Sequence, residues 1–279
     1  MADPHESESA RRWPSVAGTA PDGLPRLILT VPHASNALPD WIDVAGETAL
    51  WKDLSTQHWA FDRGAVPLAQ AIARKIEVSV IGGDVSRLAI DLNRDLADQS
   101  IIPRQVPGFG TLGFNASITS PDLSARWLLH ACFHAKIEDE LSAATLTARF
   151  VFLLDLHTFD RFGPGNSYRE VDIGICSPFL SDFGRALHDI LRASTHRRRR
   201  HHQVDVAADV VNVRLDEPYS ADHPGAYVTR RHAGGNLHGV VIEVCDELLA
   251  TPDDIKAVAD LLCAAIHAAI LRVDQLNER

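Results

Sequence analysis

Two polar residues follow an apolar run at residues 150–159, whose sequence is F-V-F-L-L-D-L-H-T-F. The run predicts a buried strand, and Asp155 and His157 point to the same side of it because they are two residues apart. An imidazole held by a neighbouring carboxylate is a common form of metal ligand. A core strand that simply ends in polar residues is an equally good interpretation of this segment alone.

Residues of similar chemistry recur beside other predicted strands and helices. They are His33, Asp62, Asn93 with Arg94, and Glu243. Two histidines and one carboxylate, with an open position for water, are the ligands of a catalytic zinc ion. A separate glutamate can deprotonate the water, and an arginine beside an asparagine can bind a substrate carboxylate. The set predicts metal-assisted hydrolysis of an amide in an acidic substrate.

The elements that must position these residues alternate along the chain between strands and helices. Strands are predicted at residues 26–31, 78–81, 87–92, 150–159, 171–176, 210–213, 226–229 and 240–244. Helices are predicted at residues 56–76, 120–146, 178–193 and 251–273. This alternation predicts an α/β protein with helices on both faces of one sheet. Ligands of such sheets bind at the carboxyl ends of the strands, where Asp155 and His157 lie.

Composition narrows the class of protein. The net charge of −10 over 279 residues argues against a nucleic-acid-binding surface and favours small-molecule partners. No apolar run approaches the ~20 residues that cross a membrane, the first residues do not resemble a secretory signal, and the scattered cysteines predict free thiols. We therefore expect a cytoplasmic protein. Residues 1–25 are predicted to form a flexible tail and residues 26–279 a single domain, in which the basic run at 197–202 is a solvated loop.

Five segments resemble the N-formylglutamate amidohydrolase family and occur in the family's order. They are V-P-H-A-S-N-A-L-P (31–39), H-W-A-F-D-R-G-A (58–65), S-R-L-A-I-D-L-N-R (86–94), D-L-H-T-F (155–159) and V-I-E-V-C-D-E-L-L (241–249). The D-L-N-R and D-L-H segments are also similar to those of aspartoacylases and, more distantly, zinc carboxypeptidases. The resemblance implies one zinc ion per chain and a three-layer α/β/α fold like that of zinc carboxypeptidases, with a mixed, mostly parallel central sheet.

The resemblance also implies a set of zinc ligands. His33 and His157 match the family's histidine ligands by position. The related families have a ligand glutamate three residues after the first histidine, where this chain has Asn36, a poor zinc ligand. Asp62, in the matching H-W-A-F-D segment, is therefore the predicted third ligand; the alternative is an acid that caps a helix or lies on its surface.

The remaining matched positions imply a reaction. Glu243 would be the general base, with a structural ion pair as the alternative. Arg94 with Asn93 would hold the substrate carboxylate, and Arg87 is a second candidate for a carboxylate or for the oxyanion. The predicted function is zinc-dependent hydrolysis of an N-acyl acidic amino acid such as N-formylglutamate. A carboxypeptidase-like enzyme, a cell-wall peptide amidase and a non-catalytic relative are the alternatives.

Overall fold

A computed structural model of the protein describes residues 25–177, 181–201, 211–220 and 222–276. Of the predicted tail, only Pro25 is among the described residues. The strands are β1 (Arg26–Val31), β2 (Ser79–Gly82), β3 (Gln105–Val106), β4 (Gly110–Thr111), β5 (Val151–Phe159), β6 (Phe162–Gly163), β7 (Ser167–Tyr168), β8 (Ile173–Cys176), β9 (Val213–Leu215) and β10 (Leu237–Cys245). The helices are α1 (Thr48–Leu54), α2 (Ala65–Ala73), α3 (Gly113–Ala116), α4 (Ser120–Thr147), α5 (Asp182–His201), α6 (Tyr227–His232) and α7 (Pro252–Leu276).

Six of these strands form the central sheet, in the order β2-β1-β5-β10-β8-β9. All neighbouring strands are parallel except β8 and β10, which pair in the antiparallel sense. The two long central strands, β5 and β10, are buried along most of their length and read in the sequence as apolar runs, as expected for strands covered on both faces. The prediction of an α/β fold with a mixed, mostly parallel sheet is confirmed.

Helices cover both faces of the sheet, and alternate residues of β5 show which helix lies on which side. Phe152, Leu154 and Leu156 pack in one core with α2, α5 and α7. Val151 and Leu153 pack in a second core with α4 and α6. Asp155 and His157 follow the second set in the strand's alternation, so their side chains lie on the α4 face.

The helix predicted at residues 56–76 is shorter than expected. Residues 56–64 form turns, and α2 begins at Ala65. Gly64, the residue before α2, has a φ of 80°, a left-handed conformation that glycine adopts readily. The chain changes direction at this residue and enters the helix. Asp62 therefore lies in the turn before α2 and not on the helix.

The strand predicted at residues 87–92 is wrong. Residues 88–92 are buried and Arg87 is half-buried, but all of them lie outside strands, over the α4 face of the sheet. An apolar run indicates burial and not pairing with another strand. Side-chain nitrogens, and not a neighbouring strand, bind the carbonyl groups in and beside this segment. Asn115 donates to the carbonyl of Leu88 and Arg126 to that of Ala89. His134 binds the carbonyl of Leu92, and His130 binds that of Arg94. The buried carbonyl groups are thus satisfied without a sheet.

Other predicted boundaries also change. Residues 226–229, predicted as a strand, belong to a 3-10 turn and to α6. Of residues 197–202, predicted as a loop, 197–201 continue α5 and 202 lies outside the described residues. Of the strand predicted at 210–213, only Val213 belongs to β9, residues 211–212 are in no strand, and residue 210 lies outside the described residues. The predicted helix start at 178–180 also lies outside them. The side chain of Thr119 caps α4 by accepting from the backbone N–H of Asp122. No helix among the described residues is long and apolar enough to cross a membrane.

Candidate metal centre

Three residues from separate parts of the chain meet at the carboxyl end of the central strands. His33 follows β1, Asp62 lies in the turn before α2, and His157 lies on β5. The backbone N–H of Asp62 donates to the carbonyl of His33 at 2.9 Å, which ties the turn to the end of the strand. One ligand atom from each residue lies within 4.8 Å of the others, and all three residues are buried. In the part of the chain that the structure describes, this is the one group of His, Cys, Asp and Glu side chains able to hold a metal ion.

Both imidazole rings turn their Nδ1 atom towards the same carboxylate oxygen. Oδ2 of Asp62 is 2.9 Å from Nδ1 of His157 and 3.5 Å from Nδ1 of His33. Nδ1 of His33 is buried and has no hydrogen-bond partner among the described residues. A buried nitrogen without a partner is costly, and a metal ion is a suitable partner for it.

A second carboxylate holds the far side of each ring. Oδ1 of Asp91 is 2.7 Å from Nε2 of His33, and Oδ2 of Asp155 is 3.1 Å from Nε2 of His157. Thr30 donates to the other oxygen of Asp155 at 2.7 Å. When Nε2–H donates to a carboxylate, Nδ1 carries the lone pair, so the contact with Asp91 favours the tautomer of His33 that binds metal through Nδ1. Nε2 of His157 also lies 2.9 Å from Nδ2 of Asn93.

Burial and neighbouring charges set the protonation of these groups. Burial, together with the Arg87 guanidinium, lowers the pKa of His33 to about 4, so its ring is neutral at pH 7 and able to act as a ligand. Burial alone would raise the pKa of Asp91, but His33 and Arg87 hold that pKa well below its usual range. Burial opposes a charge on His157, but the Asp155 carboxylate beside it raises the pKa of the ring.

The second oxygen of Asp62 faces basic groups. Arg87 donates from Nη2 to Oδ1, and Nδ1 of His58 is 3.9 Å from the same oxygen. Asp62 is 1% exposed, so its carboxylate lies inside the site and not on a helix surface. His58 was not among the predicted site residues, although it lies in the H-W-A-F-D segment that carries Asp62.

Asn36 does not join this group. Its side chain is exposed and its Nδ2 donates to the carbonyl of Ser55 at 2.8 Å.

Asn93 and Arg94 lie beside the centre and are already hydrogen-bonded. Oδ1 of Asn93 accepts from the backbone N–H of Val228 at 2.7 Å, and its Nδ2 donates to Asp155 at 3.0 Å. Arg94 donates from Nε to Asp91 at 3.1 Å and from Nη1 to Asp98 at 3.2 Å. Asn93 therefore links α6 to β5, while no contact among the described residues occupies Nη2 of Arg94. Their roles in substrate binding stay predictions.

Glu243 lies on β10 directly opposite His157 of β5 in the register of the sheet. Its side chain is 7% exposed, and its Oε2 is buried without a hydrogen-bond partner among the described residues. Burial raises the pKa of Glu243 to about 7, against the opposing charges of His157 and Arg87. A carboxyl group with a pKa near neutrality can take up and release a proton at physiological pH.

On its other side, Glu243 pairs with Gly174 of β8. The carbonyl oxygen of Glu217 occupies the space that a Cβ at Gly174 would need, so the loop after β9 lies directly on this strand. Tyr219 follows in that loop, and its hydroxyl accepts a hydrogen bond from Arg169 at 3.0 Å. Tyr219 and Arg169 were not predicted, because no motif or periodicity in the sequence connects them with β10.

Comparisons with known proteins agree with this architecture. A family model described as N-formylglutamate amidohydrolase matches residues 25–250. A search of curated protein sequences gave no match. The crystal structure of a gene product from Agrobacterium tumefaciens superposes with a TM-score of 0.74 at 23% identity, over 90% of this chain and 92% of that one. An N-formylglutamate amidohydrolase from Ralstonia eutropha superposes with a TM-score of 0.59 at 15% identity, over 91% of this chain and 96% of that one. At these identities the two structures establish a shared fold.

Proposed function

The chain belongs to the N-formylglutamate amidohydrolase family, and we propose that it is a zinc-dependent enzyme that hydrolyses the amide of an N-formyl acidic amino acid such as N-formylglutamate. The observation that carries this proposal is the convergence of His33, Asp62 and His157, with ligand atoms within 4.8 Å of one another, opposite the buried carboxyl group of Glu243.

The proposed zinc ligands are the Nδ1 atoms of His33 and His157 and the Oδ2 atom of Asp62. The donor set suits zinc, since two imidazoles and one carboxylate leave a position for water or substrate. When bound, zinc supplies a Lewis acid that polarises the formyl carbonyl and lowers the pKa of water. Asp91 and Asp155 keep the two rings in the required orientation.

Glu243 is the proposed general base. Its carboxylate removes a proton from the water that attacks the formyl carbon, and its carboxyl group then returns the proton to the nitrogen of the leaving amino acid. The C–N bond breaks, and the products are formate and the free amino acid. The same residue serves both steps because its pKa of about 7 populates both protonation states near neutral pH.

The proposed role of Arg94 is to bind one carboxylate of the substrate through Nη2, while Nε and Nη1 remain bound to Asp91 and Asp98. Asn93 supports this role by fixing the loop that carries Arg94. The guanidinium group of Arg87 lies beside Asp62. Its proposed role is to stabilise the negative charge that develops on the formyl oxygen.

The test is an activity screen of the purified protein with added zinc. The substrates are N-formyl-L-glutamate, N-acetyl-L-glutamate, N-formyl-L-leucine and a short peptide with a free carboxyl terminus. We expect release of formate from N-formyl-L-glutamate with the highest kcat/KM of the set. Release of the last residue of the peptide alone would support a carboxypeptidase-like activity, and no hydrolysis by the folded, zinc-loaded protein would reject the proposal.

A further inference from the structure

The proposed substrate carries two carboxylates, whereas the binding roles considered so far supply Arg94 for one of them. The arginines in and beside the proposed centre differ in their partners. Arg87 is bound to Asp62, and Arg94 is bound to Asp91 and Asp98. Arg169 differs from both, since among the described residues no carboxylate pairs with its guanidinium group.

Arg169 is nevertheless held in a defined place. Its Nη2 donates to the hydroxyl of Tyr219 at 3.0 Å, and its Nη1 donates to the carbonyl of Asp160 at 3.1 Å. The guanidinium carbon lies 5.1 Å from the ring centroid of Tyr219 and 5.6 Å from that of Phe159. Two hydrogen bonds and two aromatic contacts fix an arginine that pairs with no carboxylate in the described part of the chain. This is the arrangement expected of a preorganised anion site.

Arg169 lies near the groups proposed to take part in the reaction, His157 and Glu243. Phe159 follows His157 by two residues on β5, so the two side chains lie on the same face of the sheet. The positive charge of Arg169 acts on the Glu243 carboxyl group, as does that of Arg87. The ring of Tyr219 lies 4.8 Å from that of His223, which in turn feels the charge of Arg94. Tyr219 and His223 thus connect Arg169, whose charge reaches Glu243, with Arg94.

We infer that Arg169, held by Tyr219, binds the second carboxylate of a dicarboxylic N-acyl amino acid. This inference rests on the proposed function and deepens it, because it explains how the enzyme selects an acidic substrate. Arg169 and Arg94 each hold one carboxylate, and the amide between them is presented to Glu243. Arg169 determines specificity and takes no part in proton transfer.

The test compares Arg169→Met with Arg94→Met on three substrates. Methionine keeps an apolar stem against Phe159 and removes the charge. The substrates are N-formyl-L-glutamate, N-formyl-L-glutamine, which lacks the side-chain carboxylate, and the α-amide of N-formyl-L-glutamate. Loss of a charged hydrogen bond should raise KM roughly 10- to 100-fold, with kcat changed by less than about 3-fold.

The three substrates identify the carboxylate that Arg169 binds. If Arg169 binds the side-chain carboxylate, its loss raises KM for N-formyl-L-glutamate and the α-amide but not for N-formyl-L-glutamine. If Arg169 binds the α-carboxylate, its loss raises KM for N-formyl-L-glutamate and N-formyl-L-glutamine but not for the α-amide. In either case Arg94→Met should give the opposite pattern. An Arg169→Met enzyme with unchanged KM, or with the same loss on all three substrates, would overturn the inference.

Controls separate this result from loss of structure and from failure of the proposed function. Arg272→Met removes an exposed arginine of α7 and should change no kinetic constant. Tyr219→Phe removes the hydroxyl that holds Arg169 and should raise the same KM values by a smaller factor, which keeps the test valid if Arg169→Met does not fold. Binding of glutarate, measured by calorimetry, provides a readout without turnover. One outcome would reject the proposed function but keep the inferred carboxylate site. In that outcome the wild-type protein binds glutarate, Arg169→Met does not bind it, and neither protein hydrolyses any of the substrates.

Discussion

Replacement of Glu243 by glutamine separates a catalytic role from a structural one, because the two roles predict opposite changes in stability. Burial raises the pKa of Glu243 from an ordinary value of 4.5 to about 7. The folded protein therefore binds the proton more tightly than the unfolded chain, and the free energy of unfolding decreases as the pH rises through this interval. Each pKa unit corresponds to ~1.4 kcal/mol, so the ionised carboxylate destabilises the metal-free protein by about 3 kcal/mol at pH 8.

Glu243→Gln keeps the shape of the side chain and removes this charge. We expect the metal-free variant to be more stable than the wild-type protein by about 3 kcal/mol at pH 8 and by about 1 kcal/mol at pH 5.5. The corresponding rise in Tm at pH 8 is roughly 6–12 °C. In the zinc-loaded enzyme, the same variant should lose a factor of at least ~10² in kcat because no other base replaces the carboxylate.

The assay is urea unfolding of metal-free wild-type and variant proteins at both pH values, beside steady-state kinetics of the zinc-loaded forms. Glu247→Gln is the matched control, since its carboxylate forms an ion pair with Arg161 and the side chain is 57% exposed. It should change stability by less than ~1 kcal/mol. A Glu243→Gln variant that is less stable at pH 8, with nearly normal kcat, would refute the reasoning and support a structural ion pair.

Other predictions concern the surroundings of the site. Asp91→Asn and Asp155→Asn each remove the carboxylate behind a proposed zinc ligand and should weaken zinc binding roughly 10- to 100-fold in a chelator competition assay. Burial and the neighbouring His130 lower the pKa of His134 to about 3. As the pH falls, the His134 ring is therefore protonated in the unfolded chain before it is protonated in the folded protein. The free energy of unfolding should fall by about 2 kcal/mol between pH 6.5 and pH 5. Urea unfolding should show this loss in the wild-type protein but not in His134→Gln. Gly174→Ala adds a Cβ where the carbonyl of Glu217 lies and should cost about 1–3 kcal/mol in thermal unfolding, unlike Gly46→Ala, where no atom lies within 4 Å of the added Cβ.

Part of this structure could be predicted from local patterns in the sequence. The apolar run before Asp155 defined a central strand, and the period of two placed Asp155 and His157 on the same face of it. In the structure Oδ2 of Asp155 lies 3.1 Å from Nε2 of His157, as expected for two side chains on the same face of a strand. Alternation of strands and helices was sufficient for the fold class because burial on both faces leaves continuous apolar runs in β5 and β10.

The remaining features depend on contacts between distant residues. Residues 87–92 are apolar like a strand, but carbonyl groups in and beside this segment bind side chains of α4 and of Asn115, and no local pattern predicts such partners. Arg169 approaches Tyr219 only because the loop after β9 packs on Gly174, a contact between segments more than forty residues apart. The position of Asp62 was predicted from a motif, whereas its location in a turn depends on the backbone of Gly64.

The central claim is that zinc held by His33, Asp62 and His157 is required for amide hydrolysis. Titration of the metal-free protein with zinc, while formate release from N-formyl-L-glutamate is followed, tests it directly. We predict that activity rises in proportion to zinc and stops at one ion per chain in the wild-type protein and in His267→Ala, a control that changes an exposed histidine of α7. His157→Ala should lose most of its zinc affinity and its activity. Full activity without metal, or stoichiometric zinc in His157→Ala, would contradict the claim.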